Sequence, residues 1–145
     1  MSGHHNFDHT VQEGNLWLRK VAEQLHFDDH RHAYSALRAS LHALRDRLSP
    51  EDAVHFAAQL PMVVRGLFFE GWKMSRAPMS EDTIDAFCDH VAKELPPKFP
   101  MDGKTVATGV FEVIWTELDV GETAKVIDRL PLPLKTLWPR IARRA

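Results

Sequence analysis

The stretch Leu48-Ser-Pro-Glu-Asp-Ala-Val-His-Phe-Ala-Ala-Gln-Leu-Pro61 returns, much altered, as Leu118-Asp-Val-Gly-Glu-Thr-Ala-Lys-Val-Ile-Asp-Arg-Leu-Pro131. Leu48 matches Leu118, Leu60 matches Leu130 and Pro61 matches Pro131, each pair 70 positions apart. The same register carries Trp17, Leu18, Val21, Ala22 and Leu25 onto Phe87, Cys88, Val91, Ala92 and Leu95. It carries Leu37, Leu41 and Leu44 onto Ala107, Phe111 and Ile114, and Val64, Leu67 and Phe68 onto Leu134, Leu137 and Trp138. Apolar positions that persist while polar neighbours change are the mark of a duplicated unit that keeps its fold.

The repeated unit reads as helix throughout, with apolar residues at steps of three and four. Thr10-Val-Gln-Glu13 predicts a capping box opening a first helix that ends near His26-Phe27. Asp28 or Asp29 caps a second helix with the stripe Ala33, Leu37, Leu41, Leu44 and Leu48. Ser49-Pro-Glu-Asp52 caps a third, with proline at the first helical position, where no amide is needed. That helix is expected to bury Val54, Ala57 and Leu60. Pro61 ends it and starts a fourth, Met62 to about Phe69, whose scarce polar face predicts a central place. Ser80 stands where Thr10 stood and is the expected cap of the fifth helix, and Asp119-x-x-Glu122 repeats Ser49-x-x-Asp52. Pro96-Pro97-Lys98-Phe99-Pro100 delays the second copy's long helix to about Asp102 or Gly103.

The expected fold is therefore all-α, with about eight helices in two pseudo-symmetric four-helix repeats that share one core. About 60 residues per half gives only a marginal core, so one shared core is expected ahead of two beads joined at residues 73–80. The predicted layout is a flexible tail over 1–9, repeat one over 10–72, a linker over 73–79, repeat two over 80–139 and a basic end over 140–145.

Composition narrows the function classes. A hydrophobic share of 44% excludes a disordered chain. A formal charge of -2 argues against general affinity for nucleic acid or membrane. No apolar run reaches the roughly 18 residues that span a bilayer. The start lacks the basic and apolar regions of a secretory signal. One cysteine, Cys88, rules out an internal disulfide and fits a reducing, cytoplasmic setting.

Leu44-Arg-Asp-Arg-Leu-Ser-Pro-Glu-Asp-Ala53, followed by Ala58-Gln-Leu-Pro-Met-Val-Val-Arg-Gly-Leu-Phe-Phe-Glu-Gly-Trp72, resembles the DUF2267 family. The similarity runs from about residue 13 to Trp138, and Gln-Leu-Pro and Glu-Gly-Trp are its most specific parts. It implies a small, intracellular, all-helical bacterial protein and supplies no activity. Lys135-Thr136 stands where the first half has Arg65-Gly66, and Pro139-Arg-Ile-Ala142 stands where it has Phe69-Glu-Gly-Trp72. A function tied to Arg65, Glu70 or Trp72 would belong to the first half alone.

Chemistry-bearing residues are few. His26, His30 and His32 supply imidazoles beside Asp28 and Asp29, a conceivable divalent-metal loop. A solvated helix-capping loop explains the same residues. Arg31, Arg38 and Arg45 fall seven apart on the second helix and could form a ridge for phosphates or an acidic surface. Trp115 replaces Arg45 in the second copy, so something covers that face: the other half, or a partner chain. Cys88 sits on the apolar stripe as a buried thiol. No Gly-rich phosphate loop, Gly-x-Ser-x-Gly, Cys-x-x-Cys or nucleophile–base pair is present, and no cofactor is implied. The favoured reading is a non-enzymatic protein-interaction module, self-association included. Alternatives are a nucleic-acid binder using the arginine face, or a metal- or small-ligand-binding protein.

Overall fold

The computed structural model describes residues 2–74, 78–80 and 83–142, with side chains from residue 7 onward. Parts of the predicted linker (75–77) and basic end (143–145) lie outside these residues. The fold is all-helical, and no strand occurs among the described residues. Among the described residues eight α-helices run in order: α1 (Ser2–Leu25), α2 (His30–Arg45), α3 (Pro50–Ala57), α4 (Met62–Phe69), α5 (Ile84–Glu94), α6 (Gly103–Glu117), α7 (Val120–Asp128) and α8 (Leu132–Lys135). A short 3-10 turn, Arg140–Ala142, follows.

Side-chain caps fix most of the starts. Asp29, Ser49, Thr83, Asp102 and Asp119 each accept the backbone N–H three residues ahead, satisfying one orphan donor of the first turn. Pro61 and Pro131 precede α4 and α8 with no side-chain bond, their backbones in nearly the same extended conformation. The bond from the Thr105 amide holds the Asp102 carboxyl below its ordinary range.

Four expectations differ from what is found. α1 begins at Ser2, so Thr10 lies within it and residues 2–9 form its first turns instead of a loose tail. Neither glycine nor proline interrupts residues 4–13, and Phe7 and Val11 extend the apolar stripe backward. The fifth helix is capped by Thr83, not Ser80, because Thr83 stands one turn before the buried Phe87. In α3, Ala53 and Phe56 face inward while Val54 is 50% exposed. Finally, α4 is only half covered: Val64 and Phe68 are buried, but Met62 is 65% and Val63 47% exposed.

α2 and α6 touch at the centre, and both α1 and α5 lie across the pair. α4 packs on α1 and α2, α8 on α5, and α3 meets α7. The buried residues form one cluster fed from both ends of the chain, including Leu37, Leu41, Phe56, Val106, Phe111 and Trp138. Trp138 stacks on Phe111 with ring centroids 4.2 Å apart and planes 5° from parallel. Burying each large apolar side chain contributes about 1.5–3 kcal/mol. Close approach at Gly103 is obligatory: a Cβ there would lie 2.3 Å from the Cys88 carbonyl oxygen, so α6 sits directly on the α5 backbone.

Candidate functional site

α1, α2 and α4 leave an open groove of about 420 Å³ on the surface of the first half. Its α1 wall is Val11, Gly14, Asn15 and Leu18, one helical stripe. Tyr34 and Leu37 come from α2, with Tyr34 at the rim, and Val63, Gly66 and Leu67 of α4, with Glu70 just beyond its end, form the far wall. Two glycines make room for it. A Cβ on Gly14 would touch Val63 at 3.4 Å, whereas one on Gly66 would meet nothing within 4 Å. Val11 is 54% and Tyr34 43% exposed, so large apolar surface borders a concavity of the size that takes ligands. Asn15, Tyr34 and Glu70 are its polar points.

A belt of charge begins at the Glu70 end. Arg38 donates from Nε to Glu70 Oε1 at 2.9 Å, and its Nη1 lies 3.5 Å from Glu94 Oε1 on α5. This bond to Arg38 holds the Glu70 carboxyl below its ordinary range. His42 is buried; its Nε2 donates to the Leu67 carbonyl at 2.8 Å, and its Nδ1 is 3.6 Å from Glu94. Burial lowers the His42 pKa, because the charged imidazolium loses its hydration there, and Arg45 and Arg38 add repulsion. Arg45, also buried, donates from Nη1 to the carbonyls of Phe68 at 3.0 Å and Glu70 at 2.8 Å, and from Nε to Asp46. The last carbonyls of α4 are thus closed by two side chains of α2. Further along, Arg47 donates to His90 Nδ1 at 2.9 Å and lies over the Phe87 ring.

These positions bear directly on the residues singled out from sequence. Of the three arginines spaced by seven, Arg31 is exposed, Arg38 is shared between two carboxylates and Arg45 is committed inside the protein. The period of seven puts them on one face, but α4 and α5 cover the Arg38–Arg45 part of it. Arg65 does not join Glu70: it reaches the other way, donating to Ala57 and Leu60 carbonyls at 3.0 and 2.9 Å and closing the end of α3. Trp72 is half-buried against Phe69, ring centroids 5.2 Å apart, so that corner is largely packed. Trp115 is half-buried against the protein's own core.

The histidine loop is organised by packing. His26 is exposed and takes a left-handed backbone with φ of 62°, ending α1, and His30 is exposed at the start of α2. His32 stacks on Phe27 with centroids 5.2 Å apart, meets Phe99 edge-on, and holds Asp29 through Nδ1 at 2.9 Å. The His32 backbone N–H holds the Asp29 carboxyl below its ordinary range. Among the described residues, no three His, Cys, Asp or Glu side chains come together as a metal site would require. Cys88 is partly covered, and burial pushes its thiol pKa up, away from the reactive thiolate.

A family model described as an uncharacterized conserved protein, DUF2267, matches residues 14–137. The chain belongs to the DUF2267 family. No curated protein sequence matches it. The match leaves the first thirteen residues outside, so in this DUF2267 chain the Val11 end of the groove lies beyond the family match while Gly14, Tyr34 and Val63 lie within it. No helix among the described residues is long and apolar enough to cross a membrane. Of the groove residues, Glu70 was singled out from sequence, and the apolar ones were missed because apolar side chains on a helix read as core. Gly14 and Gly66, isolated inside helical patterns, were the available signal.

Proposed function

We propose that this DUF2267 protein is a non-enzymatic interaction module, and that the α1/α2/α4 groove receives an amphipathic helix from a protein partner. The observation that carries the reading is the formed concavity rimmed by Val11, Tyr34 and Val63, each more than two-fifths exposed. A helix laid in a groove is read through apolar anchors at spacings of three and four, which suits an apolar trough between helices. The reading includes an internal duplication in which only the first copy keeps the surface. It is supported by matching helix starts 70 apart: α3 at Pro50 and α7 at Val120, α4 at Met62 and α8 at Leu132. An unpaired Cys88 fits a reducing, intracellular setting.

The test is anisotropy of a labelled, uncharged 18-residue helix bearing leucines at i, i+4, i+7 and i+11. It binds saturably to the wild-type protein. Gly66→Leu fills the groove from a position with open space beside it, and abolishes binding while the far-UV circular dichroism is unchanged. Leu132→Asp, at an exposed apolar site elsewhere, leaves binding intact. No binding to wild type, or equal binding to Gly66→Leu, refutes the groove.

A further inference from the structure

Resting on the groove reading, we propose that the docked helix carries a lysine or arginine beside its apolar stripe, and that Glu70 receives it. The argument is the exposed carboxylate at one end of the groove. Glu70 and Glu94 place two carboxylates on a single guanidinium, Arg38. The other cation nearby, Arg45, is matched by Asp46 at 2.9 Å. His42 beside Glu94 stays neutral near pH 7, since burial and both arginines oppose its charging. Arg47, beyond the end of α2, meets the Phe87 ring and His90, and His90 Nε2 lies 3.6 Å from Asp46 and 3.8 Å from Glu94. Of the two carboxylates on Arg38, Glu70 is the more exposed, its side chain 54% open to solvent against 31% for Glu94.

The geometry makes Glu70 the reader of that cationic charge. Among the described residues it is the only carboxylate lining the groove. Its Oε1 accepts from Arg38, and the half-exposed carboxylate keeps a second oxygen, Oε2, as a further acceptor. Its backbone is fixed, because its carbonyl accepts from Arg45 and its amide donates to Leu67. An anionic helix would meet a like charge at Glu70, so the same feature selects against it. Nucleic acid fails on both counts, having neither an apolar stripe nor a positive charge.

The experiment uses the full chain and a set of leucine-striped 18-residue helices that differ at one position flanking the stripe, tried at either end: lysine, glutamine or glutamate. At low salt the lysine peptide binds about three- to fivefold tighter than glutamine, as one partly exposed ion pair allows. Glutamate binds more weakly than glutamine, and all differences shrink by 0.5 M salt. Glu70→Gln removes the ranking and Glu70→Lys inverts it, with the Gly66→Leu control silent throughout. Equal affinities for the three peptides overturn the charge inference and leave the groove standing. Absence of binding by all three overturns the groove itself. A dimer in sedimentation that Gly66→Leu dissociates identifies a second copy as the occupant and also overturns the proposal.

Discussion

The α1–α4 half carries its apolar groove between α1, α2 and α4, whereas a cleft of about 350 Å³ on the α5–α8 half lies between α6, α8 and the end of α1, and a few side chains accompany the difference. Gly14 and Gly66 of the first half correspond, 70 positions on, to Ile84 and Thr136. Ile84 packs against the core, and Thr136 turns its hydroxyl onto the Pro133 carbonyl at 2.6 Å. α4 runs for 8 residues and α8 for 4. The cause is visible one layer in. The carbonyls ending α4 are closed by His42 and Arg45, whereas the matching positions are Glu112, which has no proton to give, and Trp115. Pro133 further removes a backbone donor from α8. The α1/α2/α4 groove thus coincides with two glycines and with a fourth helix longer by about one turn than α8.

Several substitutions would break or sharpen this contrast. The largest effect is expected at the shared core, where the halves should behave alike. Phe111→Ala costs about 3–5 kcal/mol and Leu41→Ala about 2–5 kcal/mol in chemical denaturation. A small loss in one half only would show two separate cores. Next comes helix approach, where the halves should differ: the first half has Ala33 where the second has Gly103. Gly103→Ala drives a Cβ into the Cys88 carbonyl and costs about 1–3 kcal/mol.

The belt between the halves gives a pH test. His42 has a lowered folded-state pKa, so the unfolded chain binds its proton more readily. Its contribution is present above the unfolded value of about 6.5 and is lost as pH falls below it. His42→Gln, able to donate to Leu67, flattens that acid limb in denaturation titrations between pH 7 and 5. An unchanged limb would place the sensitivity elsewhere. Helix caps follow: Ser49→Ala and Asp119→Ala each cost about 1 kcal/mol, and strongly unequal losses would argue against equivalent roles for α3 and α7. The smallest effect carries the opposite sign. Gly66→Ala gains up to about 1 kcal/mol from helix propensity, because nothing stands against the new methyl.

Local signals were the legible part of this chain. Proline at the first turn of α3, the aspartates before α2, α6 and α7, and the leucine stripe of α2 each state their structure within a few residues. Burial was legible where a stripe is narrow, as along Leu37, Leu41 and Leu44. It was not legible in α4, where apolarity on all sides predicts enclosure but the neighbours cover only Val64 and Phe68. Arginines spaced by seven announced a face and could not announce that α4 and α5 lie on it. The groove depends on residues 11, 34 and 63 lining one cleft, which no local pattern encodes. What the sequence did carry was its negative image: glycines at positions where helices ordinarily avoid them.

Methyl-resolved NMR of the wild-type protein, titrated with the lysine-bearing leucine-striped helix, tests the central claim most directly. The account predicts that Val11, Val63 and Leu67 methyl signals shift saturably while Val120, Leu132 and Ile141 stay in place. Shifts confined to Val120, Leu132 and Ile141, or no saturable shift at all, would contradict it.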